Sequence, residues 1–484
     1  MDRAQRLVLL VCLGAGWTTL LDQSILNVNL PALRASLGAG DATLQWIMAG
    51  YSLTFGLALV PAGRLGDMFG RRGLFAGGLA LFGAAGVVAA CADRAWLVAA
   101  ARLVQGIGAG TVNPQIIGLF QDLFQGRERA RALAAYAVIG GLSASVGPPL
   151  GGLILQLAGA EPGWRYVLLL NLPFVLVTAP LGLRLLPAGR PPKGHRTDLD
   201  VPGLLLLGAA TVALILPLVG TPGGWRWAVL AALAAAGLVV CERRYTASGR
   251  TALLLPALTR SRGYVLGTLV AMSYFGATLA LNLVLSLYLQ DDLGFPPLAA
   301  AAMSLPSAVG FAAASAASAS VLARFGRPGV SVAIAVAAAG IALDATAVAL
   351  LPGAALVAVL AVGQLVTGVA GGLVNAPNQA LTLQHAPPGA NGLSAAILQL
   401  AQRLAASLGI AAATALSLGG AGRPALVRGV LLCLTLVVAA LVASAALARG
   451  ERDRDAHADP DHGLDQPGED QLADRPPVGH LTDQ

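Results

Sequence analysis

The sequence predicts an all-α polytopic membrane protein of fourteen transmembrane helices, arranged as two six-helix halves with an inserted two-helix hairpin. The first observation is composition: 56% of the residues are hydrophobic and 11% are charged, whereas a soluble protein carries roughly a quarter charged residues. The second is that apolar runs recur, each long enough to cross a ~30 Å hydrocarbon core as a helix. The third is that short motifs repeat between the two ends of the chain.

Fourteen apolar runs, separated by Gly, Pro and charged residues, define the predicted helices. They span residues 7–30, 43–64, 73–92, 96–119, 131–157, 164–186, 201–220, 225–242, 263–289, 297–322, 328–351, 353–380, 391–418 and 424–448. The first run is too long for the core of a signal peptide and has no small-residue cleavage site. We therefore expect it to be a transmembrane helix.

The basic residues predict the orientation of these helices. With the N-terminus in the cytoplasm, 23 Lys and Arg residues fall in cytoplasmic segments and 6 on the opposite side. Cytoplasmic loops of membrane proteins carry such an excess of positive charge. We expect both termini in the cytoplasm of a bacterial cell, and we expect the acidic, Pro-containing segment 450–484 to be disordered.

Polar residues interrupt the first helix in the stretch LLDQSILNVNLP, residues 20–31. At about 100° per residue, Asp22 and Asn29 share one helix face with Thr18, Thr19 and Leu26. Gln23 and Asn27 flank this face. We expect the face to line a central cavity, which makes its polar members and Gln23 candidates for the cavity wall. A purely structural role for Asp22 is the alternative.

The loop between the second and third helices reads GRLGDMFGRRGLF and predicts a tight cytoplasmic turn. Glycines such as Gly63 and Gly70 allow the two helices to approach closely. Asp67 can cap a helix or pair with Arg71 or Arg72 across the turn. We interpret these charges as a latch between the halves; an ordinary basic loop, as topology requires, is the alternative.

The fourth helix carries Arg102 about two turns inside its outer end. A charge at mid-membrane costs ~2.5–3.5 kcal/mol on insertion scales. Gln105, one turn further along, extends the polar face. Arg102 is therefore either a functional charge in the bundle interior or a side chain that snorkels to the outer interface.

The fifth helix contains a close-packing pattern. Ser143, Gly147 and Gly151 recur every four residues, which lets a neighbouring helix approach. Pro148 and Pro149 remove backbone donors and bend the helix. The GPPLGG segment ends in Gly152. We interpret it as a flexible seam that biases the direction of movement, with simple helix packing as the overlapping alternative.

An internal repeat divides the chain. The fourth helix contains GIGAGTVNP and the twelfth contains GVAGGLVNAP, so Asn113 matches Asn375, and both are pocket candidates. Phe-Gly-Arg follows the second helix and again the tenth. The repeat predicts an N-terminal half at 1–186, linkers and hairpin at 187–262, a C-terminal half at 263–449 and a tail at 450–484. Repeated halves around a midplane site are typical of secondary transporters.

Two further charges lie inside predicted helices of the C-terminal half. Asp344, in GIALDATAVALL, is either a second acidic site or an outer-end residue reached by water. Arg403 lies nearer the cytoplasmic end of the thirteenth helix, where snorkelling explains it more easily.

GRLGDMFGRR resembles the signature loop of the major facilitator superfamily. LLDQSILNVNLP, WIMAGYSL, RLVQGIGAG and GPPLGG resemble the first-, second-, fourth- and fifth-helix motifs of its fourteen-helix drug:proton antiporters, and GWRYVLLLNLP and YLQDDLGFPPLAAAAMSLP are similar to further segments. The resemblance covers residues 5 to about 448. Two positions depart from it: Ala323 stands where the first signature loop has Asp67, and Asn29 stands where the family often has alanine.

The resemblance implies proton-coupled efflux of amphipathic, drug-like or secondary-metabolite molecules, with Asp22 as the proton carrier and Arg102 tuning its charge. A proton-coupled importer or facilitator of a small metabolite on the same fold is the alternative, and a regulatory or structural membrane protein is a third. We expect a monomer in the lipid bilayer that needs no cofactor and no metal.

Three other classes fit the sequence less well. An ATP-driven pump needs a phosphate-binding loop that ends in Gly-Lys-Ser or Gly-Lys-Thr, but the single lysine, Lys193, lies in PKGH. An enzyme needs a soluble domain or a nucleophile or metal spacing that the sequence lacks. A channel needs neither two homologous halves nor the motifs linked to protons.

Overall fold

The computed structural model describes residues 3–187, 200–218, 224–250, 256–386, 391–418 and 422–458. No strand occurs in these ranges, which confirms the predicted all-α fold class. The helices are α1 Arg3–Leu37, α2 Asp41–Phe69, α3 Arg71–Ala90, α4 Ala95–Leu123, α5 Gly126–Ala158, α6 Ala160–Leu169, α7 Leu172–Leu185, α8 Val201–Leu218, α9 Gly224–Ala247, α10 Pro256–Arg260, α11 Arg262–Leu287, α12 Pro297–Ala302, α13 Leu305–Leu350, α14 Gly353–Leu383, α15 Asn391–Leu418 and α16 Arg423–Ala458.

Thirteen helical segments of the described chain are long and apolar enough to cross a membrane. The longest, Pro297–Leu350, covers two of the predicted helices. Gly326 separates them, because its φ of 53° and ψ of −141° break the helix inside α13. The predicted count of fourteen therefore agrees with the observed chain path.

Four predicted helices differ in detail from the observed ones. The tenth is interrupted at Met303 and Ser304, between α12 and α13. The sixth is interrupted between α6 and α7, where Pro173 lies in the first turn of α7 and has no backbone N–H to donate. The ninth ends in a short π-helical turn, Tyr288–Asp292. The fourteenth continues to Ala458, past the predicted start of the disordered tail, because Glu, Arg and Ala favour helix. The remaining tail, 459–484, lies outside the described residues.

The two halves use the same helix pairings. In the first half α1 packs on α5, and α4 packs on α2 and α3; in the second, α11 packs on α15 and α14 packs on both parts of α13. The repeated glycines explain the tight contacts. A Cβ added to Gly110 would lie 2.3 Å from the Phe55 carbonyl oxygen, and one added to Gly372 would lie 2.6 Å from the Phe311 carbonyl oxygen.

The halves meet along two seams, between α2 and α15 and between α5 and the pair α12 and α13. The hairpin α8–α9 covers the first seam, because α8 packs on both α15 and α2. We call the end of the bundle at which α1 begins and the α2–α3 turn lies the basic end, and the opposite end the far end.

At the far end the halves are in direct contact. Arg34 pairs with Asp41 at 2.9 Å in its own half and with Asp291 of the other half at 3.1 Å. A Cβ added to Gly152 of α5 would lie 2.8 Å from the Pro297 carbonyl oxygen and from the Leu298 Cα of α12. The far end of the bundle is therefore closed.

Candidate functional site

Asp22 lies at the centre of a buried charge cluster inside the N-terminal half. Arg102 Nη1 lies 2.5 Å from Asp22 Oδ2 and donates to Gln105 Oε1 at 2.6 Å. Asp22 Oδ1 accepts hydrogen bonds from Gln105 Nε2 and Asn171 Nδ2, each at 3.2 Å. Both Asp22 and Arg102 are 1% exposed. The carboxylate and the guanidinium thus neutralise each other in a site closed to solvent.

An aromatic ring supports the arginine of this cluster. The Arg102 guanidinium carbon lies 4.2 Å from the centroid of the Tyr51 ring, and such a cation–π contact stabilises a desolvated cation. The Tyr51 hydroxyl donates to the Thr19 carbonyl at 3.2 Å, which ties α2 to α1. Because Arg102 is buried and paired, the snorkelling alternative is wrong.

The predicted orientation of the first helix is also wrong. Thr18, Thr19, Asp22, Leu26 and Asn29 are all buried, and none of them lines the central cavity, which α1 contacts through Leu20, Gln23, Ser24, Asn27 and Val28. Asn29 Nδ2 instead donates to the Trp164 carbonyl at 3.1 Å. Periodicity identifies the polar face of α1. One side of this helix packs inside its own half and another faces the cavity, and the sequence does not show which of the two carries the polar face.

The central cavity lies between the two halves and has a volume of about 410 Å³. Most of its lining is apolar, with aromatic side chains from Tyr274, Phe275 and Phe311. Apart from Tyr274, the uncharged polar side chains of the lining are amides and aliphatic hydroxyls, which are Gln23, Ser24, Asn27, Thr278, Asn282, Ser286, Ser304, Ser307, Gln364, Thr367 and Asn375. Pockets that bind small organic molecules have this mixture of apolar walls and a few polar groups.

Arg403 is the one charged residue among the described residues of this lining. It is 8% exposed. Its guanidinium carbon lies 4.2 Å from the centroid of the Phe55 ring and 5.3 Å from that of Phe275, and Nη1 donates to Gln23 Oε1. The snorkelling explanation for Arg403 is therefore wrong, because the side chain stays at the cavity wall.

Asp344 is buried behind the cavity rather than in its wall. Its Oδ2 accepts a hydrogen bond from Gln364 Nε2 at 3.0 Å, and Oδ1 has no hydrogen-bond partner among the described residues. Gln364 occupies the position equivalent to Arg102, four residues before the first glycine of the repeated motif. The two halves thus place a different partner beside a buried aspartate. Asp344 is 0% exposed, which contradicts the alternative in which water reaches it at the outer end of the helix.

The other pocket candidates divide between two sites. Gln23 and Asn375 line the central cavity, whereas Gln105 belongs to the Asp22 cluster. Asn113 Nδ2 donates to the Tyr136 hydroxyl at 2.9 Å and lines a second cavity of about 230 Å³ towards the basic end. This second cavity also contains Gln399, one helical turn before Arg403.

The charges of the α2–α3 loop pair within the N-terminal half. Arg71 lies 2.7 Å from Asp67 and 2.8 Å from Asp122 at the end of α4. These ion pairs lie within one half in this conformation, so the interpretation of the cluster as a latch that breaks and re-forms between the halves stays a prediction. Arg72 makes no ion pair within the described chain. The α4 terminus lies close enough for Arg71 to contact both acids.

The glycines of this loop have different roles. Gly70 has a φ of 90° between α2 and α3, a conformation that favours glycine. A Cβ on Gly63 would make only ordinary contact with Pro114, at 3.6 Å, whereas one on Gly118 would lie 1.9 Å from Arg71 Nη1. Gly118, which the sequence motif does not include, therefore makes room for the arginine.

The α5 motif packs against both halves. A Cβ on Gly147 would lie 2.0 Å from Ser24 Oγ, and one on Gly151 would lie 2.8 Å from Ile25 Cγ1, both on α1. Ser24 Oγ donates to the Ser143 carbonyl at 2.8 Å. Pro148 lines the central cavity. Gly152 of the same helix packs against α12 at the far end. Helix α5 therefore contributes both to the far-end contact and to the cavity wall.

Sequence reasoning missed Asn171, Tyr51, Gln364 and Asp122. Asn171 is the one polar residue in the apolar stretch VLLLNLP. Gln364 lies four residues before Gly368, as Arg102 lies four residues before Gly106. Both signals are present in the sequence. Tyr51 and Asp122 come into contact only through the packing of α2 and α3 against α4, which the sequence does not show.

The Major Facilitator Superfamily model matches residues 12–410. The chain is 38% identical over 305 residues to a probable actinorhodin transporter of Streptomyces coelicolor, which covers 62% of the chain and 52% of that protein. It is 33% identical over 312 residues to the cephamycin export protein CmcT of Amycolatopsis lactamdurans, with 62% of each covered. The matches therefore span about half to three fifths of these relatives.

Two solved structures share the fold. The xylose transporter XylE of E. coli, in a partially occluded inward open conformation, superposes with a TM-score of 0.62 at 15% identity over 90% of this chain and 97% of that one. An auto inhibited POT family peptide transporter gives 0.64 at 16% identity over 92% and 97%.

Proposed function

Because the chain belongs to the Major Facilitator Superfamily, we propose that this multi-pass membrane protein is a proton-coupled exporter of amphipathic small molecules. The observation that carries the proposal is the buried Asp22–Arg102 pair, which lies one residue along α1 from Gln23 in the cavity wall. A proton-coupled exporter needs a protonatable group inside the bundle and a substrate cavity between its halves. Both are present, on adjacent faces of one helix.

The mechanism follows from the energetics of the pair. A carboxylate is stable in a buried site only while a cation and hydrogen-bond donors compensate it. When the far end opens and admits water, Asp22 takes up a proton and the Arg102 contact weakens. When the basic end opens, the proton leaves and the pair re-forms. A proton entering along the membrane potential supplies ~2.3 kcal/mol per 100 mV.

The substrates of the relatives suggest the kind of cargo. Their names refer to actinorhodin, cephamycin, puromycin and tetracenomycin C, and an apolar cavity with many amide and hydroxyl groups suits multiring molecules with several polar substituents. We propose that this chain exports molecules of that class and that the basic end faces the cytoplasm. Movement of substrate from the basic end to the far end is then export.

Transport in inverted membrane vesicles tests the proposal. Vesicles with an acidic interior should accumulate one or more of these four antibiotics, and vesicles without a pH gradient should not. Asp22→Asn should abolish gradient-driven uptake, because an amide carries no proton. Asp93→Asn is the matched control, because the Asp93 side chain is 90% exposed and lies outside the buried cluster; this variant should retain proton coupling.

Two results would contradict the proposal. Coupled uptake that survives Asp22→Asn would remove the assigned proton carrier. Uptake that runs only in right-side-out vesicles would favour an importer. Labelling of single cysteines introduced at Arg72 and at Ala35 in intact cells checks the orientation, because only the far-end position should react from outside.

A further inference from the structure

Arg403 is a buried cation without an anionic partner in the described structure. Two buried aspartates of the bundle are engaged elsewhere: Asp22 with Arg102, and Asp344 with Gln364. Arg403 receives only two aromatic faces and the amide oxygen of Gln23. A guanidinium has several N–H donors and stays charged, so most of its hydrogen-bonding capacity is unused.

The unused donors face the cavity. Arg403 lines the central cavity. None of its nitrogens is both inaccessible to solvent and without a hydrogen-bond partner. An uncompensated charge within a membrane protein is costly. Arg403 lies at the cavity wall and receives no counter-ion from the described protein. Its position therefore suits a ligand that supplies the counter-ion.

The residues around Arg403 define the shape of that ligand. The guanidinium lies beside two phenyl rings, Phe55 of the N-terminal half and Phe275 of the C-terminal half. Guanidinium groups bind carboxylates through two parallel hydrogen bonds in one plane. An aromatic acid can place its carboxylate on Arg403 and its ring against the apolar wall.

We propose that Arg403 is the recognition site for an acidic group, so that the exported molecules are aromatic or polycyclic acids bound as anions. This inference rests on the proposed function and names its substrate class. The same residues connect this site to the proton site: Phe55 lies 6.0 Å from Tyr51, ring centroid to centroid, and Tyr51 supports Arg102. Binding of an anion at Arg403 would act on both halves at once.

The test measures binding to purified full-length protein in detergent, without a pH gradient. The probes are 2-naphthoate and 9-anthracenecarboxylate, each compared with its own primary amide. We expect each acid to bind about tenfold more tightly than its amide, as a charge-assisted hydrogen-bonded pair predicts. Arg403→Gln should abolish this preference and Arg403→Lys should retain part of it. Arg428→Gln, which removes an exposed arginine of α16, is the matched control and should retain all of it.

A second variant keeps the test decisive if Arg403→Gln does not fold. Gln23→Glu places a carboxylate beside Arg403, so the protein supplies its own counter-ion and the acid preference should disappear. Equal affinity for acid and amide in the unsubstituted protein, no binding of either acid, or a preference that survives both variants overturns the inference.

The two proposals fail in different ways. Acid preference without gradient-driven transport contradicts the proposed function and leaves the anion site standing. Gradient-driven transport without acid preference overturns the anion site alone.

Discussion

Asp22 and Arg102 illustrate how single residues compensate each other in this protein. Each is buried, and each would carry an uncompensated charge if the other were absent. Breaking a buried ion pair by removing one partner costs about 3–5 kcal/mol, whereas replacing both partners costs much less. The pair is therefore both a candidate proton site and a determinant of stability.

A double-mutant cycle separates these two roles. Asp22→Asn should lower the unfolding temperature, because Arg102 loses its counter-ion. Adding Arg102→Gln should restore part of the lost stability, while proton-coupled transport remains absent in both variants. Thermal unfolding in detergent measures the first effect, and vesicle uptake the second. A double variant less stable than either single variant would contradict the compensation.

Asn29 has a structural role on the same helix. Its amide nitrogen donates to the Trp164 carbonyl and joins α1 to α6. Asn29→Ala should destabilise the protein by about 1–2 kcal/mol, since one buried hydrogen bond is lost. Substrate affinity should not change, because Asn29 does not line the cavity. Altered affinity at unchanged thermal stability would assign Asn29 to the pocket instead.

At the scale of helices, glycine contacts set how closely each pair packs. The repeat places Gly110 against the Phe55 carbonyl and Gly368 against the Ser307 carbonyl, so both contacts are with backbone rather than with a movable side chain. Backbone atoms of a packed helix cannot rotate aside as side chains do. The α2–α4 pair and its counterpart α13–α14 therefore depend on the absence of a Cβ.

Alanine at these glycines tests that dependence. Gly110→Ala and Gly368→Ala should each lower the yield of folded protein and the unfolding temperature, because the added Cβ lies 2.3 Å and 2.0 Å from the facing carbonyl oxygens. Gly77→Ala in α3 is the matched control, since its Cβ would have no neighbour within 4 Å. Equal stability of all three variants would mean that the helices separate without cost.

Most of the helices could be predicted from sequence, and the exceptions have local causes. Apolar length identifies a membrane helix because an unpaired backbone is too costly in hydrocarbon. The interruption before Pro173 and the π-helical turn at Tyr288 fall within apolar runs, so hydropathy does not detect them. The buried cluster was only partly predictable: Asp22, Arg102 and Gln105 belong to polar helix patterns, but their contact with Asn171 depends on the packing of the sixth predicted helix.

For the whole molecule, the far-end contacts favour the conformation seen here. Arg34 and Asp291 are each about one third exposed, with side-chain accessibilities of 31% and 32%, so their ion pair contributes no more than about 1 kcal/mol. The close contact of Gly152 with α12 adds shape complementarity across the seam. Alternation between two open states requires these contacts to separate.

Gly152→Ala should shift the molecule towards the state with the far end open. The added Cβ would lie 2.8 Å from backbone atoms of the opposite half and would not fit when the far end is closed. Spin labels at Ala35→Cys and Ala299→Cys, with the native cysteines replaced, should report a longer distance. Gly140→Ala on the same helix is the control, because its nearest neighbour would be 3.6 Å away. An unchanged distance distribution would exclude Gly152 from the closure.

The sequence by itself determined the membrane class, the path of the helices, the repeat and the identity of the charged residues inside the bundle. Each of these depends on composition and on periodicity along one chain. The tertiary structure alone decided which side of α1 faces the cavity, that Arg71 pairs within its own half and that Arg403 is left without a counter-ion. Those facts depend on which helix lies opposite which, and contacts between distant segments leave no periodic trace in the sequence.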